Sequence, residues 1–578
     1  MNSNECIQQT LGICWQAADA KQLGTVFGFA EFLTILAIFA VAYNVVDERY
    51  KFRIEISPIP LLNLLFSVSI SSALTLVLVR VWFTNHLPIP RLLNNPQIYE
   101  TGVASILVAV LLYWLRYAYL KPPLFSEKNA QRYLNKSFQS ISGGNPQELA
   151  AAAYEIGRSA TQLIREARKV ERVRDFKNGG FKSENTHLSE LANQVLALTG
   201  DKRFCRYVAK NVPWVAEEIF REAGNDELGN LQIVQFSRNV SSELLADPET
   251  AIHHEDEWYN SGLIGHIKPI SVTVFGNSKL VEQLAAYAGS PLNPSWKHRQ
   301  SWSVTSWETY NRLALLYFND KLKRIQSNSI TSADHQIFDF YEYACSDAYR
   351  INDMLDNHYN SIEYQKFIKV VDFINGILKL LEKYNIKGNK KPQLHDGHII
   401  NRDIYDELAK VAFSTILASA SVDTAEFRSW EVQHNSVWRP LMQDFSNTEV
   451  RSIFRSRLQR LLWSEIRDME RYANFKGAKI IMVCLHIMGF NLSHAVNRPP
   501  ETRALKRAVI GWVRKNYLQL ADANPKVAEA CIGGSLSFDP HKKQIIKTYN
   551  SMLGKEPNRD ILDLLSPPTN AMKANNPS

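Results

Sequence analysis

Three apolar stretches, residues 26–46, 61–83 and 102–120, crowd into the first 120 residues, and almost everything after them is polar sequence with a helical repeat. Each approaches or exceeds the ~20 apolar residues that carry a helix across a ~30 Å hydrocarbon layer. The pattern therefore predicts a transmembrane domain over 24–120 behind a short external segment, 1–23. The first stretch is too long, too aromatic and too poor in leading basic residues for a cleaved signal, and it is expected to stay in the chain.

Polar positions inside these stretches are the first functional candidates, because an ionisable group in hydrocarbon needs a reason to be there. Glu31 and Arg80 fall at similar depth near the outer ends of two antiparallel helices, so either they pair or Glu31 attracts cations. Asn63, Ser67, Ser71 and Thr75 recur every four residues, which sets them on one slowly drifting face. That face either lines a watery path or glues helices together. Three helices cannot enclose a wide polar path alone, so a pore would need several copies. Gly24 and Gly28 add a small-xxx-small pair.

The pattern then turns to amphipathic helices. Asn145, Pro146 and Glu148 open a helix expected to reach about Phe176. Within it Leu149, Ile156, Leu163 and Val170 alternate with Ala153, Ala160 and Ala167 as a heptad seam, either for oligomerisation or for packing within the chain. Its other faces are basic, solvated or set against lipid headgroups. Further helices are predicted over 183–198, 212–223, 228–245, 279–288, 304–326, 332–355, 361–384, 403–420, 447–475, 478–496, 501–520 and 540–553. Ser446 with Glu449 reads as a capping box, Gly554 as a stop, and 269–275 as the one strand. The fold class is mainly α: a three-helix anchor and a large helical cytosolic region, divided into 121–290, 291–565 and a disordered tail, 566–578.

Charge gives the anchor a direction. Arg49, Lys51 and Arg53 in the first loop, with Arg116, Lys121, Lys128, Arg132 and Lys136 after the third stretch, outnumber Lys21, Arg80 and Arg91 on the opposite side. The positive-inside rule then puts the N-terminus outside and the large region in the cytosol, in a plasma membrane, or the inner membrane of a bacterium. Tyr113, Trp114, Tyr117 and Tyr119 mark the inner interface, Trp82 and Phe83 the outer. Cys6 and Cys14 lie where a disulfide persists, while Cys205, Cys345, Cys484 and Cys531 face a reducing compartment as free thiols.

Chemistry is sparse. No P-loop, dinucleotide glycine fingerprint, HExxH or GxSxG is present, so no cofactor is expected and the motif-defined nucleotide and hydrolase classes are disfavoured. His253 and Glu257 share a helix face with metal-ligand chemistry, or simply open a helix. His395-Asp396 resembles the dyad of the HD phosphohydrolases. That resemblance implies a metal site with His358 upstream and Asp403 or Asp423 downstream, although the dyad here sits among Gly, Asn, Lys and Pro rather than on a helix. The twelve tryptophans could stack bases beside Arg451, Arg455, Arg457, Arg460, Arg467 and Arg471, but a net charge of +8 on 578 residues without a long basic run favours core tryptophan over a nucleic-acid partner.

The expectation is a membrane effector or ion channel rather than an enzyme. Its helices would form a homo-oligomer in the lipid membrane, and its cytosolic region would sense a ligand or protein partner. The alternative is a membrane-tethered scaffold or receptor that recruits a cytosolic protein. A metal-dependent HD-like phosphohydrolase is the third reading.

Overall fold

A computed structural model describes residues 8–10, 13–18, 27–45, 47–175, 180–229, 231–259, 270–354, 357–390, 394–395, 398–399, 402–423, 426–443, 448–491, 499–549 and 557–565. The described residues are mostly helical, 71% against 5% strand, which places the chain in the mainly α class. It divides into two compact units, Met1–Phe236 and Ser237–Ser578, so the division expected near residue 290 falls inside the second.

Unit 1 begins with a small antiparallel sheet in which β1 (Gln8–Thr10) pairs with β2 (Ile13–Ala17), and β2 with β3 (Pro88–Pro90). Helices α1 (Phe29–Val45), α2 (Glu48–Glu55), α3 (Leu61–Thr84) and α4 (Pro96–Leu115) follow. A π turn, Arg116–Leu120, prolongs α4. By length and composition two helices, Leu61–Thr84 and Pro96–Leu120, could cross a membrane. The expected third, α1, has 17 residues and spans ~25 Å, short of a full layer. The third stretch starts at Pro96 instead of 102 because Asn95 caps it, its Oδ1 accepting the Gln97 N–H at 3.0 Å.

Phe27, Phe32, Leu76, Val103 and Leu107 form the core shared by α1, α3 and α4. At one end Ala18, Phe83 and Ile89 pack under the sheet, and at the other Ile54, Leu61 and Ala118 pack with Tyr113, Trp114 and Tyr117. The expected inner aromatic belt is thus one contiguous cluster.

Helices α5 (Ala130–Gly143), α6 (Pro146–Arg158), α7 (Ala160–Ala167), α8 (His187–Leu198), α9 (Lys202–Asn211) and α10 (Trp214–Gly224) complete the unit. Gly144, at φ +69°, takes the left-handed conformation that ends α5. The single helix expected from 145 to 176 is broken at Ser159 and gives way to a hairpin of β4 (Val170–Asp175) with β5 (Gly180–Asn185). Val170 therefore lies on a strand. Leu149, Ala153, Ile156, Ala160, Leu163 and Ala167 are all buried inside the unit. The heptad seam is the unit's own core and leaves no surface there for oligomerisation.

In unit 2, Val304–Ile325 packs on Ile362–Lys383, and Glu449–Asp468 packs on both Ile404–Ser419 and Pro500–Ala523. Trp302, Trp307, Tyr310, Phe340 and Tyr341 build an aromatic core in which Tyr341 stacks on Phe373 at 3.8 Å. Several expected elements change. Residues 271–275 are a π turn, not a strand, because the Glu255 carboxylate accepts the Ile270 and Ser271 N–H groups at 3.1 and 3.0 Å and starts a helical turn. The expected final helix is instead a three-stranded antiparallel sheet of Leu536–Asp539, Gln544–Thr548 and Arg559–Asp563. Thr448, not Ser446, caps its helix, accepting the Arg451 N–H. Ser446, Gly554, residues 21–26 and 566–578 lie outside the described residues.

A fully buried ion pair, Lys321–Asp334, locks Val304–Ile325 to a further helix, Ser332–Glu342. Lys321 also donates to Ser329 O at 3.1 Å, and Asp334 accepts Tyr317 OH at 2.8 Å and Thr331 N–H at 2.7 Å. Asp334→Ala should cost unit 2 ~3–5 kcal/mol, since it strands a buried ammonium. Lys321→Met combined with Asp334→Leu should recover all but the ~1 kcal/mol of the lost helix cap. Urea unfolding of both variants checks this.

Candidate functional site

The four-residue polar row predicted on α3 faces away from its own neighbours. Asn63, Ser67 and Ser71 are exposed and Thr75 is half-buried, whereas Ser69, Ser72 and Leu76 turn inward. Thr75 satisfies its hydroxyl on the Ser71 carbonyl at 2.7 Å. The side chains of Asn63, Ser67 and Ser71 make no hydrogen bond to any described residue. Around them the helix shows Phe66, Ile70, Leu74 and Leu78 to the outside. A row of amide and hydroxyl groups is thus set into an apolar outer surface.

The two ionisable candidates do not meet. Glu31 accepts the Gly28 N–H at 2.8 Å and caps the first turn of α1, where its charge also suits the helix dipole. Arg80 is exposed and pairs with no described residue. The expected Glu31–Arg80 ion pair is therefore absent, because α1 begins at Phe29 and makes Glu31 a capping residue. A carboxylate that the hydropathy pattern hid does more: Glu100, buried on α4, accepts the Phe27 N–H at 3.2 Å and joins the start of α1 to α4.

At the opposite end of these helices lies the most developed polar cluster of unit 1. Asp47 accepts the Arg49 N–H at 3.0 Å and starts the short α2, which buries Phe52, Arg53 and Ile54. Arg53 donates through Nε to Glu155 Oε1 at 2.6 Å and through Nη1 to Ala118 O at 3.0 Å, a carbonyl of the last turn after α4. Arg158 donates to Glu155 Oε2 at 3.1 Å, and Tyr133 OH to Glu155 O at 2.8 Å. The Glu155 side chain is fully buried. Burial pushes its carboxyl up from the usual glutamate value, and the Arg53 and Arg158 guanidiniums oppose that shift. Arg53 and Arg49 also lie over the Tyr154 ring at 5.9 and 5.0 Å.

The link between α2 and α3 is held as firmly. Asn129 Nδ2 donates to Ile56 O at 3.0 Å, Arg132 to Pro58 O at 2.6 Å, and Lys136 pairs with Glu55 at 2.9 Å. Three residues counted in the sequence only as positive charge, Arg53, Arg132 and Lys136, thus fasten α5 and α6 to the segment that leads into the polar helix. The signal that could have found this site was Asp47 ahead of the alternating apolar and charged run 48–55.

The metal candidates are otherwise engaged. His253 is buried with Nδ1 2.8 Å from Thr309 Oγ1 and Nε2 3.1 Å from Leu244 O, which uses both ring nitrogens, and burial lowers it to about 4. The Glu257 side chain and Asp396 lie outside the described residues. His395 pairs with His398 in a two-residue hairpin, unlike the helical dyad it resembles. His358 stacks on Tyr359 at 4.4 Å, Asp403 caps a helix and takes Arg457 at 3.5 Å, and the Asp423 N–H binds Asn352. Among the described residues no group of three His, Cys, Asp or Glu side chains could hold a metal ion.

The remaining candidates resolve similarly. Arg451, Arg455 and Arg457 are buried against Glu382, Glu501 and Asp406 at 3.2, 3.7 and 2.9 Å, and so form no exposed basic track. Cys14 is disulfide-bonded, and Cys6 lies outside the described residues. Cys205, Cys345, Cys484 and Cys531 are buried free thiols; burial pushes Cys484 and Cys531 up to about 12. No protein-family model, curated protein or solved structure matches the chain.

Two outcomes follow from this geometry. Glu155→Gln weakens the grip on Arg53, so amide hydrogen exchange should accelerate across Glu48–Glu55 and Pro146–Arg158 while unit 2 is unchanged; exchange mass spectrometry reads both. His253 and His486, each lowered to about 4 by burial, stay neutral when folded and titrate near 6.5 when unfolded. Their contribution to stability is complete above 6.5 and is lost as pH falls towards 4. The denaturation midpoint of the protein should fall over that window, less steeply in His253→Gln.

Proposed function

We propose that the protein is a membrane effector of the channel type. Its apolar helices cross the bilayer, copies associate through α3 to enclose a regulated polar path, and the helical units that follow lie in the cytosol and sense a ligand or partner. The observation that carries this reading is the outward row of Asn63, Ser67 and Ser71 on a 24-residue apolar helix. In hydrocarbon each unmatched amide or hydroxyl costs on the order of kcal/mol. Packing against α1 and α4 does not remove that cost, because the row points away from them. A ring of copies with the row turned to a common axis gives every group water or a neighbour.

Two further features support it. The ends of these helices are tied together: Glu100 joins α4 to the start of α1, and Arg53 joins α2 to the end of α4. Although α1 is short, an up-down-up anchor follows naturally, with the basic end inside. The grip of α5 and α6 on the link before α3 supplies a mechanical path from soluble helices to the polar row.

The test is ion flux from vesicles reconstituted with the full chain. Ser67→Leu with Ser71→Leu should cut flux roughly tenfold, the change that ~1.4 kcal/mol of added barrier brings, with protein still in the membrane fraction. Unchanged flux, or a solubilised protein that is monomeric, would defeat the channel reading. If function survives replacement of residues 1–120 by an unrelated anchor, the protein is a tethered scaffold or receptor instead.

A further inference from the structure

On the side of α3 away from the polar row, α1 and α3 line an open groove of about 840 Å³. It runs from Phe29 at the start of α1 to Tyr43 near its end, ~21 Å at helical rise. Leu36, Leu65 and Ala73 are typical of its walls, and only Tyr43, Ser69 and Trp114 among the lining residues carry polar side-chain atoms.

We infer that this groove is a phospholipid site, holding an acyl chain along α1 with the phosphate at its Tyr43 and Trp114 end. This rests on the membrane reading above but not on the pore. An apolar groove open at hydrocarbon depth does not stay empty, since its walls would forfeit dispersion contacts. A lipid is favoured over a neighbouring helix because the mouth carries interfacial rings and a cation. A slender chain fits, and the ~15 Å that one leaflet's acyl chains reach lies well within the groove's length.

The mouth suits a headgroup. Tyr43 and Trp114 are amphipathic rings of the kind that sit at an interface. Lys51 Nζ, held by Glu48 at 2.8 Å, lies 6.0 Å from the Tyr43 ring and brings a cation to where a phosphodiester would rest. The polar face of α3, by contrast, demands a partner with hydrogen-bonding groups. The two faces of one helix are thus assigned to different neighbours.

The full chain is purified from membranes in mild detergent and analysed by native mass spectrometry with lipid extraction. Wild type should retain phospholipid in stoichiometric amount. Ala40→Trp with Ala73→Trp, which fill the groove, should lose it, whereas Leu112→Trp, on an exposed face of α4 outside the groove, should keep it. In a second arm that needs no substitution, phosphatidylglycerol vesicles carrying a chain-terminal diazirine should label peptides of Phe29–Val45 and Leu61–Thr84 above those of Pro96–Leu115. Membrane-extracted protein without lipid, equal lipid in all variants, or a Leu36→Cys crosslink between two copies overturns the assignment. Recovery of the wild type from the soluble fraction overturns the membrane reading itself.

Discussion

The buried carboxylate of Glu155 is the point on which unit 1 turns. A glutamate with no solvent exposure keeps its place only if its charge is answered, and Arg53 and Arg158 answer it from two directions. Arg53 in turn donates through Nη1 to the last turn after α4. One anion thereby joins three pieces of chain far apart in sequence: the short helix α2 between two apolar helices, the turn that ends α4, and α6. The energetic logic favours specificity over raw stability, because an apolar replacement could pack as well yet would not fix which residues meet.

That junction gives the membrane hypothesis its mechanical content. A pore built only of apolar helices would have no input. Here the link between α2 and α3 is bound by side chains at and within α5, and α2 itself by α6, so the proposed mechanism has a direct path from α5 and α6 to the residue before α3. The outer surface of α3 then divides its work by chemistry. Its hydroxyl and amide row asks for hydrogen-bonding neighbours, and its apolar flank lines an open groove.

Much of the architecture was legible in the residues. Long, sharply bounded apolar runs and 3.6-residue periodicity located most helices to within a few positions, as with 304–326 against Val304–Ile325 and 361–384 against Ile362–Lys383. The errors have local causes. Seven-residue spacing carried a predicted helix past Ser159 because periodicity does not register a break that preserves phase, and the residues beyond pair as a hairpin. The run Val272 to Phe275 looks like a strand, but the Glu255 carboxylate, fifteen residues upstream of Ile270, turns it into a helical turn. The candidate site was half visible. The polar row could be read from spacing alone, but whether it faced inward or outward could not, since a helix pattern does not say where its neighbours stand.

The sequence by itself determined that this protein is mainly helical, that its apolar segments are gathered at one end, and that one of them carries a polar face, because periodicity and hydropathy are local properties. Only the tertiary structure decided that Arg53 belongs to Glu155, that Glu31 is a cap and not a partner of Arg80, and that the heptad seam is already buried. Those outcomes depend on which surfaces meet in the folded chain, across 102 residues in the case of Arg53 and Glu155. Desolvation and hydrogen-bond geometry settle that choice in three dimensions, and they leave no mark on the spacing of residues along the chain.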